Sequence, residues 1–130
     1  MEPKHRQGLS CEKCEKRALE LHETMQYVWH EIKKEFPDCH IAEAWRSEEQ
    51  QNLIYEKGLS LVKWPLSRHN RMRGGLPCAE AMDLFELRDG KAHFNMNYYQ
   101  SIYLHCQKLA LPIEAGCTWR FADGPHFQLK

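Results

Sequence analysis

Apolar side chains recur at helical spacing early in the chain, where Ala18, Leu21, Met25, Val28, Trp29, Ile32 and Phe36 fall on one stripe together with His22. Positions three and four apart share one face of a helix. The run therefore predicts a single amphipathic helix from about Cys14 to Phe36, stopped by Pro37, which disfavours helical backbone in the residue before it. "CHIAEAW" then alternates, with Cys39, Ile41 and Glu43 on one face and His40, Ala42 and Ala44 on the other, which predicts a short strand. Ser47 precedes "EEQQNLIYEKG", which supplies an N-cap, an acidic first turn and the C-terminal Gly58 of a short second helix. From Leu59 to Pro77 the chain is rich in proline, glycine and basic residues without periodicity, and it reads as a long irregular loop of the kind that often carries function. "AEAMDLFEL" and "KAHF" flank Asp89-Gly90 as the arms of a β-hairpin. "NMNYYQSIYLHCQKLALP" places Tyr98, Ile102, Cys106 and Leu109 at helical spacing and ends before Pro112, while "IEAG" and "HFQL" supply the last strands. About three helices packed on a small, mostly antiparallel sheet make an α+β domain.

Composition narrows the class. At 130 residues the chain is expected to form one domain spanning 1–130, with 1–13 as a candidate flexible N-terminal segment. Lys plus Arg (18) equals Asp plus Glu (18), so no net field draws the chain to nucleic acid or to an anionic membrane. The N-terminus has no apolar signal region, and no later stretch approaches the roughly 18 uninterrupted apolar residues that a membrane span requires. Six cysteines without regular spacing read as reduced thiols. Cys11 and Cys14 have the spacing of half a zinc knuckle or a redox pair, which Cys39-His40 could complete, although two ordinary thiols are the simpler reading. Cys78, Cys106 and Cys117 read as small buried hydrophobes, His22 as a packed histidine, and His93 and His105 belong to no motif. "RHNRMR" reads as a solvated basic loop, or one that meets an anionic wall polymer.

Three separated pieces carry metal-type ligands: "SRH" with Ser67 and His69, "AEAMDL" with Asp83, and "DGPHFQL" with Asp123 and His126. Two imidazoles and one carboxylate leave a position of tetrahedral zinc open, as a catalytic zinc needs. On a strand, Ala79, Ala81 and Asp83 share a face, and the small alanines leave room for an ion and its other ligands. Single Asp and His residues are also common as surface or hydrogen-bonded side chains, and pattern alone leaves both readings open.

The strings "WRSEEQQNLIYEKG", "SRHN", "AEAMDLFEL" and "WRFADGPHFQL" occur in this order from about Val28 to the C-terminus. They resemble the zinc peptidases of the D-alanyl-D-alanine carboxypeptidase and L-alanyl-D-glutamate endopeptidase family, phage endolysins above all. The resemblance implies one zinc per chain held by His69, Asp83 and His126, with Asp123 as the catalytic carboxylate and Arg46 facing the substrate. It also implies that Ser67 and Trp119 line the site, and that the fold is the small α+β one shared with the hedgehog signalling domain. "NRMRGGLPCAEAM" is longer than the usual stretch between the first histidine and the aspartate, and "EAGCTW" stands in place of a glycine-rich segment.

Zinc lowers the pKa of bound water from 15.7 towards about 7. Asp123 would take that water's proton and pass it to the departing amine, and Arg46 would hold a developing oxyanion or a substrate carboxylate. The implied activity is cleavage of bacterial peptidoglycan peptide stems, at the L-alanyl to D-glutamate bond, by a monomer. It would accumulate in the cytoplasm of an infected or lysogenic host and reach the wall after release, with neither nucleic-acid binding nor membrane insertion. The other readings are a D-alanyl-D-alanine carboxypeptidase or dipeptidase, and a hedgehog-like phage component that only binds.

Overall fold

The computed structural model describes residues 11–130. Along them run helix α1 (Glu12–Ala18), helix α2 (Glu23–Glu35), strand β1 (Cys39–Glu43), helix α3 (Glu48–Glu56), a 3-10 turn (Arg68–Asn70), the short strands β2 (Met72–Arg73) and β3 (Leu76–Pro77), strands β4 (Ala81–Arg88) and β5 (Lys91–His93), helix α4 (Met96–Lys108), strand β6 (Ile113–Ala115), a second 3-10 turn (Gly116–Thr118) and strand β7 (His126–Leu129). The architecture is α+β, as the patterning predicts.

The single first helix is two. Backbone bonds from His22 N to Ala79 O and from Ala79 N to Glu20 O, both 2.8 Å, draw the chain after the C-cap Leu19 away from the helix, and Leu21 bridges Ala79 in parallel. His22 is not a packed core histidine but the N-cap of α2, its Nδ1 accepting from Thr24 N. Cys14 and Ala18 of α1 and Met25, Val28, Trp29 and Ile32 of α2 all enter one core, so the apolar stripe continues across the break and hides it from a periodicity reading. Of the expected 1–13 flexible segment, Cys11 caps and Glu12 and Lys13 begin α1, while 1–10 lie outside the described residues.

Helix α3 starts at Ser47 with a full capping box: Ser47 Oγ accepts from Gln50 N, and Gln50 Oε1 accepts from Ser47 N. Gly58 past its end has φ of 76°. The 59–77 stretch is not irregular throughout. Ser67 caps the 3-10 turn, and β2 and β3 pair around Gly74-Gly75, so the long insert between His69 and Asp83 is largely a small hairpin. A fully buried Gln51 anchors the rest, donating to Ser60 Oγ and Val62 O while its Oε1 accepts from Arg46 and Asn70.

The main sheet has the order β1-β4-β7-β6, with β5 also pairing β4, and every pairing is antiparallel. Ile41, Met82, Leu84, Phe127, Ile113 and Ala115 bury against Val28, Ile32, Tyr99 and Ile102. Burying such a side chain contributes roughly 1.5–3 kcal/mol. The opposite face carries Asp83 and His126, cross-strand partners on β4 and β7. In β1 the register slips between Ile41, opposite Leu84, and Glu43, opposite Asp83. This bulge overturns the expected regular alternation, because adjacent Leu84 and Asp83 face opposite ways and so do their partners. Glu43 is thereby turned toward Asp83.

Candidate metal centre

Asp83 and His126 meet because β4 and β7 pair in register, while His69 arrives from the 3-10 turn that Ser67 caps through an Oγ bond from His69 N. One oxygen, Asp83 Oδ1, stands 3.4 Å from His69 Nε2 and 3.3 Å from His126 Nδ1. One ligand atom from each of the three residues lies within 4.8 Å of the others.

The hydrogen bonds behind each ring determine which nitrogen faces inward. His69 Nδ1 donates to Ala44 O at 2.7 Å, so in the neutral ring Nε2 presents a lone pair to the centre, where it is buried without a hydrogen-bond partner. Gln128 donates through Nε2 to Glu114, which orients its Oε1 as the acceptor for His126 Nε2 at 2.8 Å. His126 Nδ1 therefore also presents a lone pair. Two lone pairs and a carboxylate converge with no donor among them, so the space between them requires a proton or a cation, and two imidazoles with one carboxylate suit zinc. In the metal-free chain the demand shows as reciprocal pKa shifts. Burial would raise Asp83, but the His126 and His69 rings that face it outweigh this when they carry a proton, and hold the carboxyl well below the usual range. Burial would lower His126, but the Asp83 carboxylate outweighs it and raises the imidazole.

A cleft of about 330 Å³ opens over these residues. Arg46, Ser67 and Asp123 line it beside the ligands, and Ile54, Leu59, Ser60 and Leu61 form its other wall. Gly124-Pro125 is the turn that brings Asp123 to the centre, closed by His126 N donating to Asp123 O. Partial burial raises the pKa of Asp123, and the Asp83 charge raises it further. Its backbone is braced on Gly116, whose carbonyl accepts from Asp123 N at 3.0 Å. Arg46 is buried, donating from Nε and Nη2 to Glu43 Oε1 and from Nη1 to Gln51 Oε1, with Nη2 3.6 Å from Asp83 Oδ2. Three of its N–H groups are thus engaged, and the remainder of its five can meet a ligand. Trp119 packs its ring 5.3 Å from that of His126 and is not part of the cleft wall.

All seven residues singled out in the sequence therefore fall at or beside one site. Glu43, Ala44 O, Gln51 and Gln128 were not foreseen. For Gln128 the signal was present, since residues 126 and 128 share a strand face. For Ala44 and Gln51 only the fold brings the partner. Of the other cysteines, Cys78 and Cys106 are buried, and Cys117 is partly buried, packed against the core. Arg68, Arg71 and Arg73 of the basic loop stand against Glu80, Glu80 and Glu23.

No family model and no curated protein sequence matches this chain. Among solved structures, it matches the crystal structure of Serratia marcescens L-Ala D-Glu endopeptidase ChiX with a TM-score of 0.74 at 22% identity, over 92% of this chain and 87% of that one. The fold is that of ChiX. No described helix is long and apolar enough to cross a membrane.

Proposed function

We propose that this chain is a zinc-dependent peptidase that hydrolyses the peptide stems of bacterial peptidoglycan, at the L-alanyl to D-glutamate bond, in a phage lysis or prophage setting. The observation that carries this reading is the convergence of two imidazole lone pairs and a carboxylate on one point beneath an open cleft, with a further carboxylate, Asp123, at its edge. The likeness in fold to an L-Ala D-Glu endopeptidase supports the choice of bond.

His69, Asp83 and His126 would hold the ion, which when bound supplies a Lewis acid and a water acidic enough to be deprotonated near neutral pH. Asp123 accepts the proton of the attacking water and returns it to the leaving amine, a role that the upward shift of its pKa favours by bringing the carboxyl closer to the working pH. Arg46, held rigid by Glu43 and Gln51, offers its remaining N–H groups to the carbonyl oxygen as it gains charge, or to a carboxylate of the stem. Ser67 keeps His69 in place, and Trp119 covers the outer face of His126. The exposed Leu59 and Leu61 on the far wall give the cleft an apolar rim for the stem.

Digestion of purified sacculi followed by mass analysis tests the bond. Cleavage as proposed releases peptides that begin with D-glutamate and leaves L-alanine on the glycan, whereas free D-alanine would identify a carboxypeptidase and an unchanged sacculus would refute the enzyme. Asp123→Ala should keep about one zinc at this site and lose lysis, while His69→Ala, Asp83→Ala and His126→Ala should each lose the zinc too. An Asp123→Ala enzyme as active as the parent would remove the assigned mechanism.

A further inference from the structure

The Cys11-x-x-Cys14 pair plays no part in the cleft. Cys11 caps α1, and its Sγ accepts from Cys14 N at 3.2 Å. Cys14 Sγ accepts from Ile41 N at 3.4 Å and stands 3.3 Å from His40 Nδ1. Ligand atoms of Cys11, Cys14 and His40 lie within 4.8 Å of one another. Cys39, next to His40 in sequence, turns into the core instead, where it is fully buried.

Three features distinguish this cluster from two thiols that happen to be close. The His40 ring is stacked on Phe85 with centroids 5.5 Å apart, which holds the ring plane in which Nδ1 meets Cys14 Sγ. His40 is itself buried, and its Nε2 has no hydrogen-bond partner, so the ring is not there to serve a second polar contact. Finally, backbone N–H groups donate to both sulfurs, an arrangement that stabilises negative charge on sulfur. Tetrahedral zinc with Zn–S of about 2.3 Å and Zn–N of about 2.0 Å has S···N edges of about 3.5 Å. The 3.3 Å separation of Cys14 Sγ and His40 Nδ1 is already close to that edge. In the metal-free chain burial pushes the Cys14 thiol up to about 12, so the sulfur there is protonated.

We propose that Cys11, Cys14 and His40 form a second metal site, for zinc or a divalent ion of similar softness, separate from the His69, Asp83 and His126 centre. Binding replaces the two thiol protons, which leave to solvent, and His40 binds as neutral imidazole through Nδ1. The fourth position is filled by a water or another exogenous donor. The ion ties the N-terminus of α1 to β1 across the sequence separation of 26 residues between Cys14 and His40. This tie between α1 and β1 does not depend on the cleft's chemistry.

Cobalt substitution of the full chain under reducing conditions tests the proposal, because only cysteine ligation produces the intense near-ultraviolet sulfur-to-cobalt band. The expected result is that band together with a second metal equivalent per chain. Cys11→Ser and Cys14→Ser should each lose the band and one equivalent, and His69→Ala should lose the other equivalent and keep the band. Cys11 is partly exposed, so Cys11→Ser remains informative if the Cys14 variant fails to fold. A folded, cobalt-saturated chain without the band overturns the proposal, and so does a band that survives Cys11→Ser unchanged. Formation of a Cys11–Cys14 disulfide on mild oxidation at the same rate with and without zinc would also overturn it, in favour of a redox pair. None of these outcomes reads peptidase activity, so the proposal can fail while the cleft's assignment stands, or the reverse.

Discussion

Gly116→Ala tests the geometry of the proposed base without touching a polar atom. A methyl group built at Gly116 runs into the Asp123 carbonyl oxygen and stands 3.0 Å from its carbonyl carbon. A carbon-to-oxygen contact relaxes at about 3.3 Å, so one backbone must retreat by about 1 Å. Gly116 follows β6 and its carbonyl accepts from both Trp119 N and Asp123 N, whereas Asp123 lies in an exposed loop. The Asp123 side should therefore yield, carrying its carboxylate out of reach of the attacking water. Misplacement of about 1 Å can cost on the order of 10²-fold in rate. His126 is held by the β4–β7 ladder, so zinc should stay bound. Overpacking of this kind costs about 1–3 kcal/mol, and a domain of this size loses about 4 °C in Tm for each kcal/mol. The assays are kcat/KM on soluble stem fragments, bound zinc and a melting curve. Activity within twofold of the parent would refute the account of Asp123. A loss of activity that merely follows loss of zinc would show that the strain reaches His126 instead.

Gln128→Leu removes the acceptor that fixes the His126 tautomer, and zinc affinity at the cleft should weaken by about 10–100-fold in competition with a chelating dye; unchanged affinity would refute the tautomer assignment. The metal-free chain should show a stability plateau between the ordinary Asp and His values of 3.8 and 6.5. Asp83, with a depressed folded pKa, contributes stability present above 3.8 and lost as pH falls through its folded value. His126, with a raised one, contributes stability present below 6.5 and lost as pH rises through its folded value. Because metal and proton compete for His126, the Tm difference between loaded and chelated protein should widen from about pH 6 to about pH 8. A constant difference over that range, measured by differential scanning fluorimetry, would contradict the linkage.

Local rules sufficed where the chain's own neighbours decide the structure. Ser47 and Gln50 make a capping box by spacing alone, Asp89-Gly90 turns a hairpin because both residues take positive φ, and Pro37 and Pro112 bound α2 and α4. Ser67-x-x-Asn70 is a second capping box of the same kind, so the turn beneath His69 was legible inside a stretch read as loop. The break at Leu19–His22 was not, because its cause is a pair of hydrogen bonds to Ala79, far along the chain. The same holds for the bulge in β1, which no alternation pattern shows and which places Glu43 where it can grip Arg46.

The order of residues alone supplies the chemical inventory: two imidazoles and two carboxylates in three short motifs, a Gly-Pro turn between Asp123 and His126, and a strand period that puts Ala79, Ala81 and Asp83 on one face. What that inventory can do follows from how the chain packs. Which nitrogen of His69 and of His126 faces inward depends on the Ala44 carbonyl and the Glu114-oriented Gln128 amide, and whether Cys14 finds His40 or Cys39 depends on which face of β1 meets α1. Hydrogen bonds and coordination act over about 3 Å between groups distant in sequence, and only the packed chain sets such distances.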